Sequence, residues 1–250
     1  MLVQVPDLRE AKRVLAVQPH YDDNDIGAGG TLASLRGDGA ELCYLTVTDD
    51  LKGVLDPQLS DADARARLRA EQVEAAEAIG GVSQTWLDHP DAGDYDYYEL
   101  REQIVREIRR FRPDFLFSVD PWLPYEAHRD HTRVGRAVAE AALLYALPRL
   151  KTDPAVDAAY EPHRLQGIAL YFSARGNTVF DITRSRERKH RALDAYASQF
   201  TPDGLRELHA LLEFKERRWA EGEDFSYGES LTVLAPRHLH VNPDADEMYR

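Results

Sequence analysis

The chain has 250 residues, of which 43% are hydrophobic, and its formal net charge is −13. This length suits one α/β domain, and the acidic balance argues against nucleic acid as a ligand, because binding a phosphate backbone requires a basic surface. The sequence has neither a run of about eighteen apolar residues nor a basic leader followed by an apolar core, so we expect neither membrane insertion nor export.

The cysteine content indicates the compartment. The single cysteine, Cys43, lies inside an apolar run and excludes an intrachain disulfide framework, which favours a cytoplasmic location. We interpret Cys43 as a buried small residue rather than a catalytic thiol. With no repeat or linker in the sequence, residues 1–250 are treated as one domain.

Strand-like and helical segments alternate through the first two thirds of the chain. The predicted strands are 14–17, 41–47, 84–87, 114–119 and 167–172, and the predicted helices are 61–79, 98–111 and 134–147. The alternation predicts an α/β fold with a Rossmann-like, mainly parallel sheet covered by helices.

The chain changes character after residue 176. Charged helices are predicted at 185–199 and 203–222, followed by a short apolar segment at 230–234. We expect this C-terminal extension to form a cap or the surface of a homo-oligomer, although its aromatic residues would equally suit a core. The basic run 184–191 is interpreted as a solvated helix face.

Two polar clusters follow predicted strands. Residues 19–23 read Pro-His-Tyr-Asp-Asp at the end of the first strand, and residues 128–131 read His-Arg-Asp-His at the start of a helix. Ligand sites in open α/β sheets lie at the carboxyl ends of strands. Together the clusters predict one divalent-metal site surrounded by catalytic groups.

The number of metal donors allows a role to be assigned to each of these side chains. Hydrolytic zinc sites take three ligands and keep a position for water, whose pKa falls to about 7. The ligands are counted as His20, Asp23 and His131. Asp22 is then the candidate general base, and His128 is the free imidazole that stabilises an oxyanion or protonates a leaving amine, while Asp130 holds one ring by a hydrogen bond. Other first-row divalent ions share these ligands, so the metal stays open beyond zinc.

A dinucleotide-binding loop is the competing interpretation of the glycines that follow the first cluster. Gly27, Gly29 and Gly30 lie at a helix start, but the G-x-G-x-x-G spacing requires glycine at position 32, which is Leu32. We expect these glycines to permit close helix–sheet packing instead.

The motifs resemble the LmbE-like, or PIG-L, family of zinc-dependent N-acetylglucosaminyl deacetylases. That family has A-H-P-D-D-E followed by G-x-G-G-T-L-A, and a later H-x-D-H, where this chain has P-H-Y-D-D-N at 19–24, G-A-G-G-T-L-A at 27–33 and H-R-D-H at 128–131. Weaker matches are R-A-E at 69–71, the acidic loop at 88–91 and S-Q at 198–199. The resemblance spans most of the chain.

The resemblance implies the same zinc ligands, base and oxyanion-stabilising histidine as the donor count. It also implies that Arg69 and Asp91 contact the substrate, although each has a plain alternative as a helix salt bridge or a loop cap. The departures are Tyr21 in place of proline and Asn24 in place of an acidic residue, so loop rigidity and the surroundings of the ligands are expected to differ.

The predicted activity is therefore zinc-dependent hydrolysis that removes an acyl group, in the first place acetyl, from the nitrogen of an amino sugar or its conjugate. Two alternatives remain: an amidase of a thiol conjugate or another small N-acyl compound, and a non-catalytic regulatory protein stabilised by zinc. The last predicts a closed fourth metal position, whereas the spare groups Asp22 and His128 favour an open one. The expected partner is a small-molecule substrate.

Overall fold

A sheet of seven strands lies at the centre of the computed structural model, which describes residues 4–245. The strands are β1 (Arg13–Gln18), β2 (Glu41–Thr48), β3 (Ser83–His89), β4 (Phe115–Val119), β5 (Gly167–Tyr171), β6 (Thr178–Asp181) and β7 (Gly228–Leu234). Their spatial order is β3-β2-β1-β4-β5-β7-β6; the first five are parallel, and β7 is antiparallel to both of its neighbours. The predicted α/β fold with a mainly parallel sheet is confirmed.

Helices cover both faces of this sheet. They are α1 (Asp23–Gly37), α2 (Asp61–Ile79), α3 (Tyr97–Phe111), α4 (Arg129–Leu144), α5 (Pro154–Ala159), α6 (Arg186–Leu193) and α7 (Pro202–Trp219). Residues of α1, α2 and α6 pack in one core with Val14 and Ala16, whereas α3 and α4 pack in the other with Leu15 and Val17. Because successive side chains of a strand point to opposite faces and both faces are covered, β1 is apolar from Val14 to Val17.

The helix ends follow local capping rules. The Ser60 hydroxyl accepts the N–H of Asp63 at 3.2 Å where α2 begins, and Gly80 ends it in the left-handed conformation with φ 118°. The bounds of α2 match the prediction, but α4 begins at Arg129, five residues before its apolar pattern starts at Val134. The second polar cluster therefore forms the first turn of α4.

The C-terminal part belongs to the main fold, and the expectation that it forms a cap is wrong. Strand β7 pairs with β5, and α6 packs on α1 and α2. The expectation of a solvated basic face is also wrong at Lys189, which is 1% exposed and lies 2.7 Å from Glu229 and 3.2 Å from Glu216. Ion pairing with two buried carboxylates keeps this lysine in the core.

The glycines after β1 allow close packing, as expected. A Cβ at Gly27 would lie 2.1 Å from the ring of Tyr171 on β5, and one at Gly30 would lie 2.8 Å from Ile182. Helix α1 therefore approaches the sheet closely beneath the first polar cluster. Cys43 is buried in β2, as predicted.

The strand order reverses between β1 and β4, which are hydrogen-bonded neighbours. The loops leaving these two strands diverge to opposite faces and open a crevice at their carboxyl ends. This topology places residues 19–23 beside residues 128–131. Among residues 4–245, no helix combines the length and the apolar character needed to cross a bilayer.

Candidate metal centre

The two polar clusters meet in one cleft. The ring centroids of His20 and His128 are 4.6 Å apart, and that of His131 lies 5.4 Å from His20 and 5.2 Å from His128. The cleft has a volume of about 370 Å³, and its polar lining includes these three imidazoles with Asp22, Asp50, Asp91 and Gln199. The cleft is thus rich in carboxylates and imidazoles, as the motifs predict.

Asp23 lies between two of the imidazoles. Its carboxylate oxygens are 3.2 Å from Nδ1 of His20 and 3.3 Å from Nε2 of His131. Ligands 2.0–2.1 Å from a tetrahedral metal ion are separated by about 3.3–3.4 Å. The separations of Asp23 from each of the two histidines therefore match those of neighbouring ligands around one zinc-like ion.

The opposite nitrogen of each of these rings faces another carboxylate. Nε2 of His20 is buried, 3.4 Å from Asp91 and 3.7 Å from Asp130, and Nδ1 of His131 is 3.2 Å from Glu126. Each ring therefore lies between carboxylates, which only accept hydrogen bonds and so favour a proton on both of its nitrogens. Were a metal ion to take Nδ1 of His20 and Nε2 of His131, the outward nitrogens would keep their protons.

The negative charge of the carboxylates around these two histidines requires a cation to balance it. Burial opposes a charge on His20, but its contacts with Asp130, Asp23 and Asp91 outweigh burial and raise its pKa well above the usual range. Burial likewise opposes ionisation of Asp23, yet His131 and His20 hold its pKa below the usual range. In the metal-free protein protons supply the positive charge, and a divalent ion fits the same donors.

Two other donor groups overlap in this cleft. One atom each from His20, His128 and His131, or from His20, Asp91, His128 and Asp130, lie within 4.8 Å of one another. Hydrogen bonds already occupy much of the Asp130 carboxylate, which accepts the Tyr95 hydroxyl at 2.8 Å and the N–H of Ala92 at 2.9 Å. The Asp23 carboxylate also accepts one hydrogen bond, from the N–H of His20 at 2.9 Å.

Asp22 lies outside these donor groups, whereas His128 belongs to both of the groups just named but is not one of the three predicted ligands. The pKa of the buried Asp22 carboxyl is raised by desolvation and by the charges of Asp23 and Asp50. Within the described residues it has no hydrogen-bonded side-chain partner. The side chain of His128 is 44% exposed, and burial together with the charges of His20 and His131 lowers its pKa. Asp22 is thus suited to hold a proton, and His128 is suited to stay neutral.

The remaining predicted residues differ in position. Asp91 lines the cleft, and its second oxygen accepts the N–H of Lys52 at 2.8 Å. Asp130 lies 3.9 Å from Nδ1 of His128, and contact with His20 contributes to lowering its pKa to about 2 despite burial. Arg69 is absent from the lining residues: its guanidinium pairs with Asp88 and stacks 4.8 Å from the ring centroid of Trp86.

Hydrogen bonds fix the first loop where Tyr21 replaces proline. The Tyr21 carbonyl accepts from Gln18 at 3.1 Å, Gln72 at 3.0 Å and the Tyr196 hydroxyl at 2.9 Å, and its N–H donates to Asp50 at 3.1 Å. Proline has no N–H to give Asp50. The loop is held by these contacts rather than by a proline ring.

Asn24 also belongs to a local network. Its side-chain N–H donates to the Ala16 carbonyl at 3.3 Å, and its oxygen accepts the Tyr171 hydroxyl at 3.0 Å. A neutral amide satisfies both partners without adding charge beside Asp23.

Sequence reasoning missed Glu126 and Asp50. Neither lies in a motif, and their roles depend on which loops become neighbours. The S-Q match does have a physical counterpart: Ser198 donates to buried Glu71, and Gln199 donates to Asp50 at 2.7 Å.

Comparisons with known proteins agree with this geometry. Residues 15–142, which include both clusters, match the PIG-L family model, described as GlcNAc-PI de-N-acetylase. The chain is 32% identical over 236 residues to diacetylchitobiose deacetylase of Thermococcus kodakarensis, covering 94% of this chain and 88% of the relative. It is 30% identical over 176 residues, 58% of this chain and 48% of the relative, to a 1D-myo-inositol 2-acetamido-2-deoxy-alpha-D-glucopyranoside deacetylase of Kineococcus radiotolerans.

A solved structure is similar over nearly the whole chain. The N,N'-diacetylchitobiose deacetylase from Pyrococcus horikoshii, complexed with an inhibitor, superposes with a TM-score of 0.88 at 33% identity, covering 96% of this chain and 90% of that one.

Proposed function

Because the chain belongs to the PIG-L family of de-N-acetylases, we propose that it hydrolyses the acetamido group of a small sugar containing N-acetylglucosamine. The chain is a hydrolase of the N-deacetylase class. The observation that carries the proposal is the Asp23 carboxylate, 3.2 Å and 3.3 Å from two imidazole nitrogens, beside the carboxylate of Asp22 in the same cleft.

Zinc is the proposed metal, with His20, Asp23 and His131 as its ligands. Two imidazoles and one carboxylate form a common ligand set of catalytic zinc, which keeps a further position open. When bound, the ion supplies Lewis acidity that polarises the amide carbonyl and acidifies a water molecule.

Asp22 is proposed to move the proton. Its carboxylate faces the cleft and accepts a proton from water as the water oxygen bonds to the carbonyl carbon. The raised pKa of Asp22 makes it a stronger base than an exposed aspartate. When the carbon–nitrogen bond breaks, the proton passes to the leaving nitrogen, giving a free amine and acetate.

His128 is proposed to stabilise the oxyanion. Its ring lies at the mouth of the cleft, and its lowered pKa keeps it neutral, so one ring nitrogen donates a hydrogen bond and the other remains an acceptor. Asp130 lies 3.9 Å from Nδ1 of His128, beyond hydrogen-bond distance, so the proton of the neutral ring can lie on Nε2 and be donated to the oxyanion. These roles agree with those implied by the family resemblance.

The lining of the cleft supports a polyol substrate. Asp50, Asp91 and Gln199 present oxygens and an amide to the cleft, and such groups pair with sugar hydroxyls. We propose that Asp91 contacts a sugar hydroxyl. Arg69, engaged with Asp88, is not assigned a substrate contact.

A direct assay tests this function. Protein stripped by a chelator and reloaded with zinc is incubated with N,N'-diacetylchitobiose and, separately, with N-acetylglucosamine, and free amine and acetate are quantified. We expect equal amounts of both products, released only by the zinc-loaded protein. Protein that binds one zinc ion yet releases no amine from a broad panel of N-acetylated amino sugars would overturn the proposal.

A further inference from the structure

Glu126 contacts both histidines of the second cluster, although no motif includes it. One carboxylate oxygen accepts the backbone N–H of His128 at 2.7 Å, and the other lies 3.2 Å from Nδ1 of His131. The Glu126 side chain is only 17% exposed. A single carboxylate therefore joins the backbone at the start of α4 to the ring of a proposed metal ligand.

The backbone before Glu126 directs this carboxylate inwards. Tyr125 adopts φ 67°, a left-handed conformation that residues other than glycine and asparagine rarely adopt, and its side chain is fully exposed. The N–H of Glu126 donates to the Leu123 carbonyl at 3.3 Å. This turn sends the Tyr125 ring to solvent and the Glu126 carboxylate towards His131.

We propose that Glu126 is a positioning residue that fixes the tautomer and orientation of the His131 ring and thereby strengthens metal binding. The proposal rests on the proposed function, in which His131 is a metal ligand. With a metal ion bound through Nε2, the one proton of the His131 ring would lie on Nδ1, where Glu126 accepts it. Nε2 lies 3.3 Å from an oxygen of Asp23, another proposed ligand.

Phe172, which stacks on the His131 ring, does not select between the two ring nitrogens. Phe172 lies nearly parallel to His131, with a centroid distance of 6.1 Å and an interplanar angle of 9°. Stacking on Phe172 would be retained if the imidazole turned over by half a rotation, because the plane of the ring would not change. Glu126 distinguishes the two ring nitrogens, and carboxylate partners of this kind commonly strengthen metal binding by histidine.

The test compares Glu126→Gln with wild type and with the matched control Glu140→Gln, which alters a half-exposed glutamate on the outer part of α4. In Glu126→Gln the amide offers one oxygen for two donors, the N–H of His128 and Nδ1–H of His131. Its NH₂ group then faces whichever donor the oxygen does not bind. Zn²⁺ affinity is measured by competition with a chromogenic chelator, and the hydrogen bond of the His131 Nδ1–H is read from its imidazole ¹⁵N and ¹H shifts in the zinc-loaded protein.

We expect Glu126→Gln to weaken Zn²⁺ binding about 10- to 100-fold and to move the ¹H and ¹⁵N shifts of the His131 Nδ1–H away from those of a proton donated to a carboxylate, while Glu140→Gln changes neither. Glu126→Asp, which keeps the charge on a shorter side chain, should recover part of the affinity and serves as the second variant if Glu126→Gln does not fold. Unchanged affinity and Nδ1–H shifts in a folded Glu126→Gln protein would overturn the role of Glu126 alone. Failure of wild type to bind Zn²⁺ would overturn the proposed metal site.

Discussion

The substitution Asp22→Asn separates proton transfer from metal binding. It keeps the shape of the side chain but removes the charge and the proton acceptor. Asp22 has no hydrogen-bonded side-chain partner among the described residues, so the exchange breaks no such contact. Metal affinity should therefore stay within a few fold of wild type, because Asp22 is not among the three proposed ligands.

The effect on activity follows from the role of a general base. Such a group contributes about 10²- to 10⁴-fold to the rate, which equals roughly 3–5 kcal/mol of transition-state stabilisation. The Asp22 carboxylate faces the cleft beside Asp23, and no other carboxylate of the cleft both lacks a partner and adjoins the donors. We expect kcat to fall by that factor while KM changes little.

Asp22→Asn should stabilise the metal-free fold, although it lowers the activity. Burial and the neighbouring charges of Asp23 and Asp50 raise the pKa of Asp22 in the folded, metal-free protein. The folded state then binds more protons than the unfolded state, so this group weakens folding as pH rises through and above the ordinary aspartate pKa. Metal-free Asp22→Asn should melt at a higher temperature than wild type at pH 7, and the difference should shrink towards pH 4.

Three measurements check this reasoning: amine release from N,N'-diacetylchitobiose, Zn²⁺ affinity by chelator competition, and thermal unfolding of the metal-free proteins at both pH values. Retention of more than a tenth of the wild-type kcat would refute the general-base role. A loss of zinc binding comparable to that of Asp23→Asn would instead make Asp22 a ligand.

Three further predictions concern the core. Lys189→Met removes the cation of buried Glu229 and one of the cations of buried Glu216, which keeps Arg186 at 2.7 Å. We expect urea denaturation to show a loss of about 3–5 kcal/mol in the free energy of unfolding. Burial raises the pKa of Asp25 to about 6, so wild type should lose about 2 kcal/mol more than Asp25→Asn between pH 4 and pH 7, measured by the same method. Gly27→Ala sets a methyl group against the Tyr171 ring, 2.1 Å away, and should lower the free energy of unfolding by about 1–3 kcal/mol.

Matched controls keep these predictions specific. Arg191→Met changes an exposed residue at the end of α6, and Gly37→Ala places a methyl group 3.4 Å from the nearest atom at the end of α1. Neither should reduce the free energy of unfolding by more than about 0.5 kcal/mol. A Lys189→Met protein as stable as Arg191→Met, a pH profile of Asp25→Asn that parallels wild type, or a Gly27→Ala protein as stable as Gly37→Ala would each contradict the corresponding argument.

The sequence alone determined the local features. Apolar runs buried on both faces predicted the parallel strands, and Ser60 and Gly80 fixed both ends of α2. The two His/Asp clusters could also be found without coordinates, because each follows a strand and opens a helix. These signals depend on residues close together in the chain, so periodicity and spacing record them.

Only the tertiary structure decided which of these features become neighbours. It placed β1 beside β4, buried Lys189 between two glutamates, turned Arg69 towards Asp88 and brought Glu126 against His131. A sequence pattern tells which side of an element is apolar, but not which element will cover it. The partner of a charged side chain depends on that choice, which is why the proposed ligands could be found in the sequence and the carboxylates that contact them could not.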